Sequence, residues 1–109
     1  MFIMSQHSEI ERLIAKSLAK TIRKRREELH LSQEQVAYKA SIDRSHYQII
    51  EAGLANRKTR TPANPRLNTL LQIADTLDCS IIDLLKETSD LYEKIQAQVR
   101  AAANQKYFG

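Results

Sequence analysis

Ile10, Leu13, Ile14, Leu18, Ile22 and Leu29 recur at helical spacing. The pattern predicts one helix from about Glu9 to Leu29, with Ser8 and Glu11 placed to form a capping box at its start. A second apolar set, Val36, Ala37 and Ala40, follows another capping-box pair, Ser32 and Gln35, and predicts a short helix. Ser41-Ile42 then interrupts. Asp43 is a good N-cap for a third helix, Arg44 to about Ala52, which turns Tyr47 and Ile50 inward at i and i+3. Gly53 can take the left-handed conformation that ends it. Leu54 to Pro65 holds both prolines and many polar turn formers, and reads as a loop of about twelve residues. Leu67, Leu70, Leu71, Ile73, Ala74 and Leu77 predict a fourth helix, and Ser80 with Asp83 caps a short fifth, Ile81 to Leu85. Ser89 is placed to cap a last helix, with Leu91, Ile95, Val99 and Ala102 as a narrow apolar stripe.

Composition supports the helical reading. Only two glycines and two prolines punctuate the 109 residues, and long stretches run in residues that lose little on entering a helix. The length suits a single domain with a modest core. The single cysteine, Cys79, cannot form an internal disulfide or by itself build a zinc site, and its apolar setting predicts a buried thiol. No run approaches the roughly 18 apolar residues needed to span a bilayer, so no membrane partner is expected. The start, MFIMSQHSE, lacks the basic end and long apolar stretch of a signal peptide, and a cytoplasmic location is expected.

Charge changes the picture more. The net charge is +4, but Lys16 to Arg66 carries twelve basic against five acidic residues, whereas Leu67 onward carries four against six. A basic half beside a mildly acidic half suits a one-sided polyanion contact, although a charge run is also what any solvated face shows.

Several residue types then fall into one pattern. Ile22-Arg23-x-x-Arg26 is followed by Leu31-Ser32-Gln33-x-x-Val36-Ala37, and by Ile42-x-x-x-x-Tyr47-x-x-Ile50-Glu51-x-Gly53. Pro65-x-Leu67-x-Thr69-Leu70-x-x-Ile73-Ala74-x-x-Leu77 and Leu84-Leu85 complete it. From about Leu18 to Leu85 the chain resembles the lambda-repressor-like, Cro/XRE family of helix-turn-helix DNA-binding domains. The segment DRSHYQIIE is also similar to the small controller proteins of restriction-modification systems, a narrower likeness. The resemblance implies an all-α, five-helix lambda-repressor-like fold, here with an extended first helix and an additional C-terminal helix. The expected division is 1–17 as an N-terminal extension of helix one, 18–86 as the DNA-binding domain, and 87–109 as a C-terminal helix for dimerisation or partner binding.

The same resemblance assigns roles. Gln33 to Ala40 would be the supporting helix and Arg44 to Ala52 the recognition helix in the major groove of double-stranded DNA. With Tyr47 and Ile50 committed inward, Arg44, Ser45, Gln48 and Ile49 are left to contact bases, with His46 at the edge nearer the phosphates. An arginine there can offer a forked donor to guanine, and an isoleucine can pack on a thymine methyl. Ser32 and Gln33 would meet the DNA backbone at a helix N-terminus. Arg57, Lys58 and Arg60 in the long loop would reach phosphates or an adjacent minor groove, unless that loop is only a solvated tether. Arg26 and Glu51 stand where many family members form a structural ion pair; two solvated charges are the alternative. The chain departs from the family pattern at His30 and Ser41, where glycine is common, and in the longer loop after Gly53. His30 reads as a helix end rather than a metal ligand, and His46 has no ligand partner at i+4.

Three function classes follow. The first is a sequence-specific transcription regulator, expected as a homodimer because a two-fold operator needs two recognition helices about 34 Å apart. Ile81, Ile82, Leu91, Ile95 and Val99 are candidates for the dimer or partner surface, as are Ile10, Leu13 and Ile14 in the first helix. These stripes could equally pack on each other within one chain. The second is an adaptor, antitoxin or bridging coactivator, whose main partner is a protein held at the C-terminal helix. An enzyme is the third and fares poorly: the sequence has no glycine-rich phosphate loop, no metal cluster and no nucleophile beside a base, so neither catalysis nor a cofactor is expected.

Overall fold

A computed structural model describes the backbone of residues 2–108 and the side chains of residues 9–105. Its elements are α1 (Phe2–Glu28), α2 (Gln33–Lys39), α3 (Arg44–Glu51), a small hairpin of β1 (Leu54–Asn56) and β2 (Thr61–Pro62), α4 (Leu67–Thr76) and α5 (Ile81–Phe108). The predominantly helical architecture implied by the family resemblance is present, with five helices and a small hairpin, and it is divided differently in two places.

The first lies at the C-terminus. The short fifth helix and the separate last one run together as α5, so Ser89 lies inside a helix rather than at its cap. Serine and aspartate cost only tenths of a kcal/mol to about 0.7 kcal/mol within a helix, and no glycine or proline stands near to stop it. Leu84, Leu91 and Ile95 meanwhile keep one helical phase across Ser89. The second difference is the loop after Gly53, which is a hairpin. Leu54 pairs with Pro62 and Asn56 with Thr61, with an irregularity between them. The Asn56 side chain accepts hydrogen bonds from the amides of Lys58 (2.9 Å) and Thr59 (3.2 Å), folding the tip. At the other end of the chain α1 starts at Phe2, earlier than anticipated. The Ser8 side chain lies outside the described residues.

One core serves all five helices. Leu18 and Ile22 from α1 meet Val36 and Ala37 from α2 and Tyr47 and Ile50 from α3. Leu70, Ile73, Ala74 and Leu77 from α4 and its end, with Leu84 from α5, complete it. Leu29, Leu31, Ile42, Cys79, Ile81 and Leu85 close its margins while partly exposed, so Ile81 is largely a packing residue and Cys79 is only half-buried. Burial pushes the Cys79 thiol pKa up. Along α1 and α5, Thr88 Oγ1 donates to Ser17 Oγ at 3.1 Å.

The helices stop in a common way. After α1, α2 and α4, the residues His30 (φ 57°), Ser41 (φ 58°) and Asp78 (φ 56°) are left-handed. In each case the following amide reaches back to a carbonyl five residues earlier: Leu31 to Arg26, Ile42 to Ala37 and Cys79 to Ala74. This is the helix-ending motif in which glycine is favoured, built three times without it. Gly53 (φ 77°) is left-handed after α3 and donates to the Ile50 carbonyl at 2.9 Å, backing onto the α1 backbone at Ala15 and Lys16. The α4 end has a second support from across the molecule. Arg25 of α1 donates from Nε to the Leu77 carbonyl and from Nη2 to the Asp78 carbonyl, both at 2.9 Å, satisfying groups that a helix end leaves free.

Candidate nucleic-acid interface

The two short helices are separated by a turn that their own side chains define. Ser32 and Gln35 form a reciprocal capping box at the start of α2: the Gln35 amide donates to Ser32 Oγ at 3.0 Å, and the Ser32 amide to Gln35 Oε1 at 2.8 Å. The Ser32 hydroxyl accepts there, which leaves its O–H free to donate outward. Ser41 then reverses the chain, Ile42 tucks against the core, and Asp43 caps α3 by accepting from the amides of Ser45 (3.1 Å) and His46 (3.3 Å).

Helix α3 has two distinct faces. Tyr47, Ile50 and Glu51 are buried, whereas Arg44, Ser45 and His46 at its N-terminus are exposed, and Gln48 and Ile49 are half-buried. The residues predicted to read bases therefore share the outward side of one helix. Arg44 stands 3.9 Å from Glu34 of α2, and both side chains are largely solvated. Such a pair adds little to stability and leaves the guanidinium free to change partners. Gln33 is half-buried at the start of α2.

A buried ion pair anchors α3 to α1. The side chains of Glu51 and Arg26 are only 2 % and 14 % exposed. Arg26 donates to the carboxylate from Nε (2.9 Å to Oε2, 3.2 Å to Oε1) and Nη2 (2.6 Å to Oε1), and from Nη1 to the Leu31 carbonyl at 2.9 Å. Burial alone would raise the Glu51 pKa, but the hydrogen bonds from Arg26, followed by the influence of Tyr47, outweigh it and hold the carboxyl below its ordinary value. The bond to Glu51 likewise raises the Arg26 pKa. The Tyr47 hydroxyl is buried without a hydrogen bond of normal geometry. Burial first, then the nearby Glu51 carboxylate, pushes its pKa well above the ordinary tyrosine value.

The hairpin brings one loop cation, Arg57, against α3. Arg57, Lys58 and Arg60 are all exposed, and Arg57 Nη2 lies 3.4 Å from Gln48 Oε1. Arg60 is left-handed (φ 54°), and its carbonyl accepts from Arg12 Nη1 at 3.1 Å. The contributions of Arg12 and Arg25 were not visible in the sequence, because each joins residues about fifty positions apart. Tyr38 on α2, 86 % exposed beside the capping box, was also missed. Its exposure has no signature in a periodicity that accounts only for the inward face. Of the surface candidates on α5, Ile82 (77 % exposed) and Val99 are open, while Leu91 and Ile95 are half-buried. In the first half of α1, Leu13 is exposed, with Ile10 and Ile14 half-buried.

A short supporting helix, a tight turn and a second helix with its polar face outward, pinned by a buried ion pair, define a helix-turn-helix protein of the DNA-binding, transcription-regulating class. The helix-turn-helix family HTH_3 matches residues 22–84, from the last two turns of α1 to the first turn of α5, and the chain belongs to it. Among solved structures, the clp gene regulator ClgR from Corynebacterium glutamicum has a similar fold: TM-score 0.59 at 16 % identity, over 86 % of this chain and 92 % of that one. No curated protein matches the sequence. No helix among the described residues is long and apolar enough to cross a membrane.

Proposed function

We propose that the protein is a sequence-specific transcription regulator that binds a two-fold operator as a homodimer, with α3 in the major groove. The observation that carries this reading is the outward row Arg44, Ser45 and His46 at the start of α3, continued by Gln48 and Ile49. Arg44, Ser45, Gln48 and Ile49 read base edges. Ser32, with its free O–H, Gln33, His46, Lys58 and Arg60 hold phosphates, whereas Arg57 stands beside Gln48. In this reading residues 18–86 form the DNA-binding domain, 1–17 extend helix one, and 87–109 supply the surface for the second copy.

Charge along α5 supports self-association. Asp83, Glu87 and Asp90 make its first part acidic despite Lys86, whereas Lys94 and Arg100 follow Glu93 further along. Two such helices crossing antiparallel about a two-fold axis bring opposite charges together, with the exposed Ile82 and Val99 among the apolar positions available between them. The same exposed residues favour the second reading, an adaptor whose main partner is another protein.

Selection from a random duplex library with purified protein at physiological salt tests both. An enriched palindrome is expected. Binding that is salt-sensitive but without enrichment would overturn the regulator in favour of the adaptor.

A further inference from the structure

The hairpin does more than bring positive charge near DNA. It follows α3 after only Ala52 and Gly53 and is fixed at several points: Ala63 N–H donates to the Gly53 carbonyl at 2.9 Å, Asn56 ties the tip, and Arg12 of α1 holds the Arg60 carbonyl. Arg57 is thereby held beside Gln48, one turn along α3 from Arg44 and on its open side.

We propose that Arg57 is a positioning residue that sets the base preference of Gln48. This deepens the reading above and rests on α3 entering the major groove. A guanidinium carries five N–H donors and no acceptor, so only the oxygen of the Gln48 amide can face it. The Nε2 end is then turned away from Arg57 with both its hydrogens available. A glutamine with both ends free matches adenine, accepting from N6 and donating to N7. One whose oxygen already accepts from a guanidinium keeps a second lone pair, but the cation crowds the approach of a base donor, so the free Nε2 hydrogens favour guanine N7 and O6 or thymine O4. At 3.4 Å the contact is long and the groups are exposed in the free protein. Loss of water on binding DNA strengthens it, because the alternatives in solvent are removed.

The test compares duplex-library selections with the wild-type protein, Gln48→Ala, Arg57→Ala and Arg57→Lys, together with the salt dependence of binding to the selected site. Gln48→Ala should erase preference at one base pair per half-site. Arg57→Ala should move preference at that same pair towards adenine, by roughly fivefold or more, and leave the other pairs unchanged. Arg57→Lys, still a cation with donors only, should keep the wild-type preference. If Arg57→Ala weakens all sequences alike, lowers the salt slope by about one unit and leaves the preference intact, Arg57 is a phosphate contact and the proposal is overturned. Preference lost equally in the alanine and lysine variants would overturn the donor argument. A Gln48→Ala variant with unaltered preference at every pair would instead remove the groove placement of α3, and this inference with it.

Discussion

At the scale of single residues the molecule depends most on Glu51, a buried carboxylate held by Arg26. Arg26→Ala strands that charge, and a loss of about 3–5 kcal/mol is expected in urea unfolding at neutral pH. The pair also predicts an acid limb. Because the folded pKa of Glu51 lies below its unfolded value of about 4.3, the contribution is complete above that value and fades as pH falls through the lower, folded one. Unfolding curves measured between pH 7 and pH 3 should show wild type losing this increment and Glu51→Gln losing less over the same window. On the opposite face the effects should appear in binding rather than stability. Arg44→Ala is expected to abolish discrimination at one base pair per half-site, whereas Lys58→Ala should weaken all sequences alike and reduce the salt slope by about one. An unchanged base preference in Arg44→Ala would mean that α3 is not the reading helix.

At the scale of elements, the three helix ends built on His30, Ser41 and Asp78 carry avoidable strain. A side chain in left-handed geometry costs roughly 1–2 kcal/mol, offset in part by the greater freedom of glycine when unfolded. Ser41→Gly and His30→Gly are each expected to raise stability by about 0.5–1 kcal/mol, read as a higher urea midpoint at constant slope. These positions were legible in advance, because the family pattern has glycine there and the flanking helices leave no other place for the chain to reverse. The helices themselves were legible for a related reason: Ile22, Val36, Tyr47, Ile50, Ile73 and Leu77 combine helical spacing with full or nearly full burial. Two elements were not. The hairpin has only five strand residues, one a proline, which is too short for alternation to register. The continuity of α5 was hidden by Ser89-Asp90, a pair that looks like a cap, and only packing along α1 decides otherwise. The Arg26–Glu51 pair was foreseen through the family likeness, whereas the tie from Arg25 to the end of α4 depends on a fold that brings residues 25 and 77 together.

At the scale of the whole molecule the shape is elongated, with principal extents of 53 × 30 × 21 Å. A helix of 28 residues spans about 42 Å, so α5 covers most of the long dimension. Its exposed Ile82 and Val99, with Leu13 in the first half of α1, are apolar surface that the proposed homodimer would cover. Val99→Lys should lower the dimer fraction in sedimentation while leaving the thermal midpoint of the monomer within a degree or two, because Val99 is not in the core. Weaker operator binding should accompany it, since two half-sites would no longer be engaged together. A variant that stays dimeric would move the interface elsewhere on the chain.

In the proposed homodimer, the uninterrupted run of α5 past Ser89 would make the link between the DNA-binding domain and the contacts around Val99 a shaft rather than a tether. A flexible linker would let one dimer span operators of many spacings. A shaft transmits angle, and one residue inserted after Ser89 would swing everything beyond it by about 100° and advance it by about 1.5 Å. Seven residues would nearly restore the angle, within about 20°, but lengthen the shaft by roughly 10 Å. The series should therefore lose the operator at one inserted residue and recover binding at seven only on half-sites set at a new separation, so that the permitted spacing is written in the phase of a single helix.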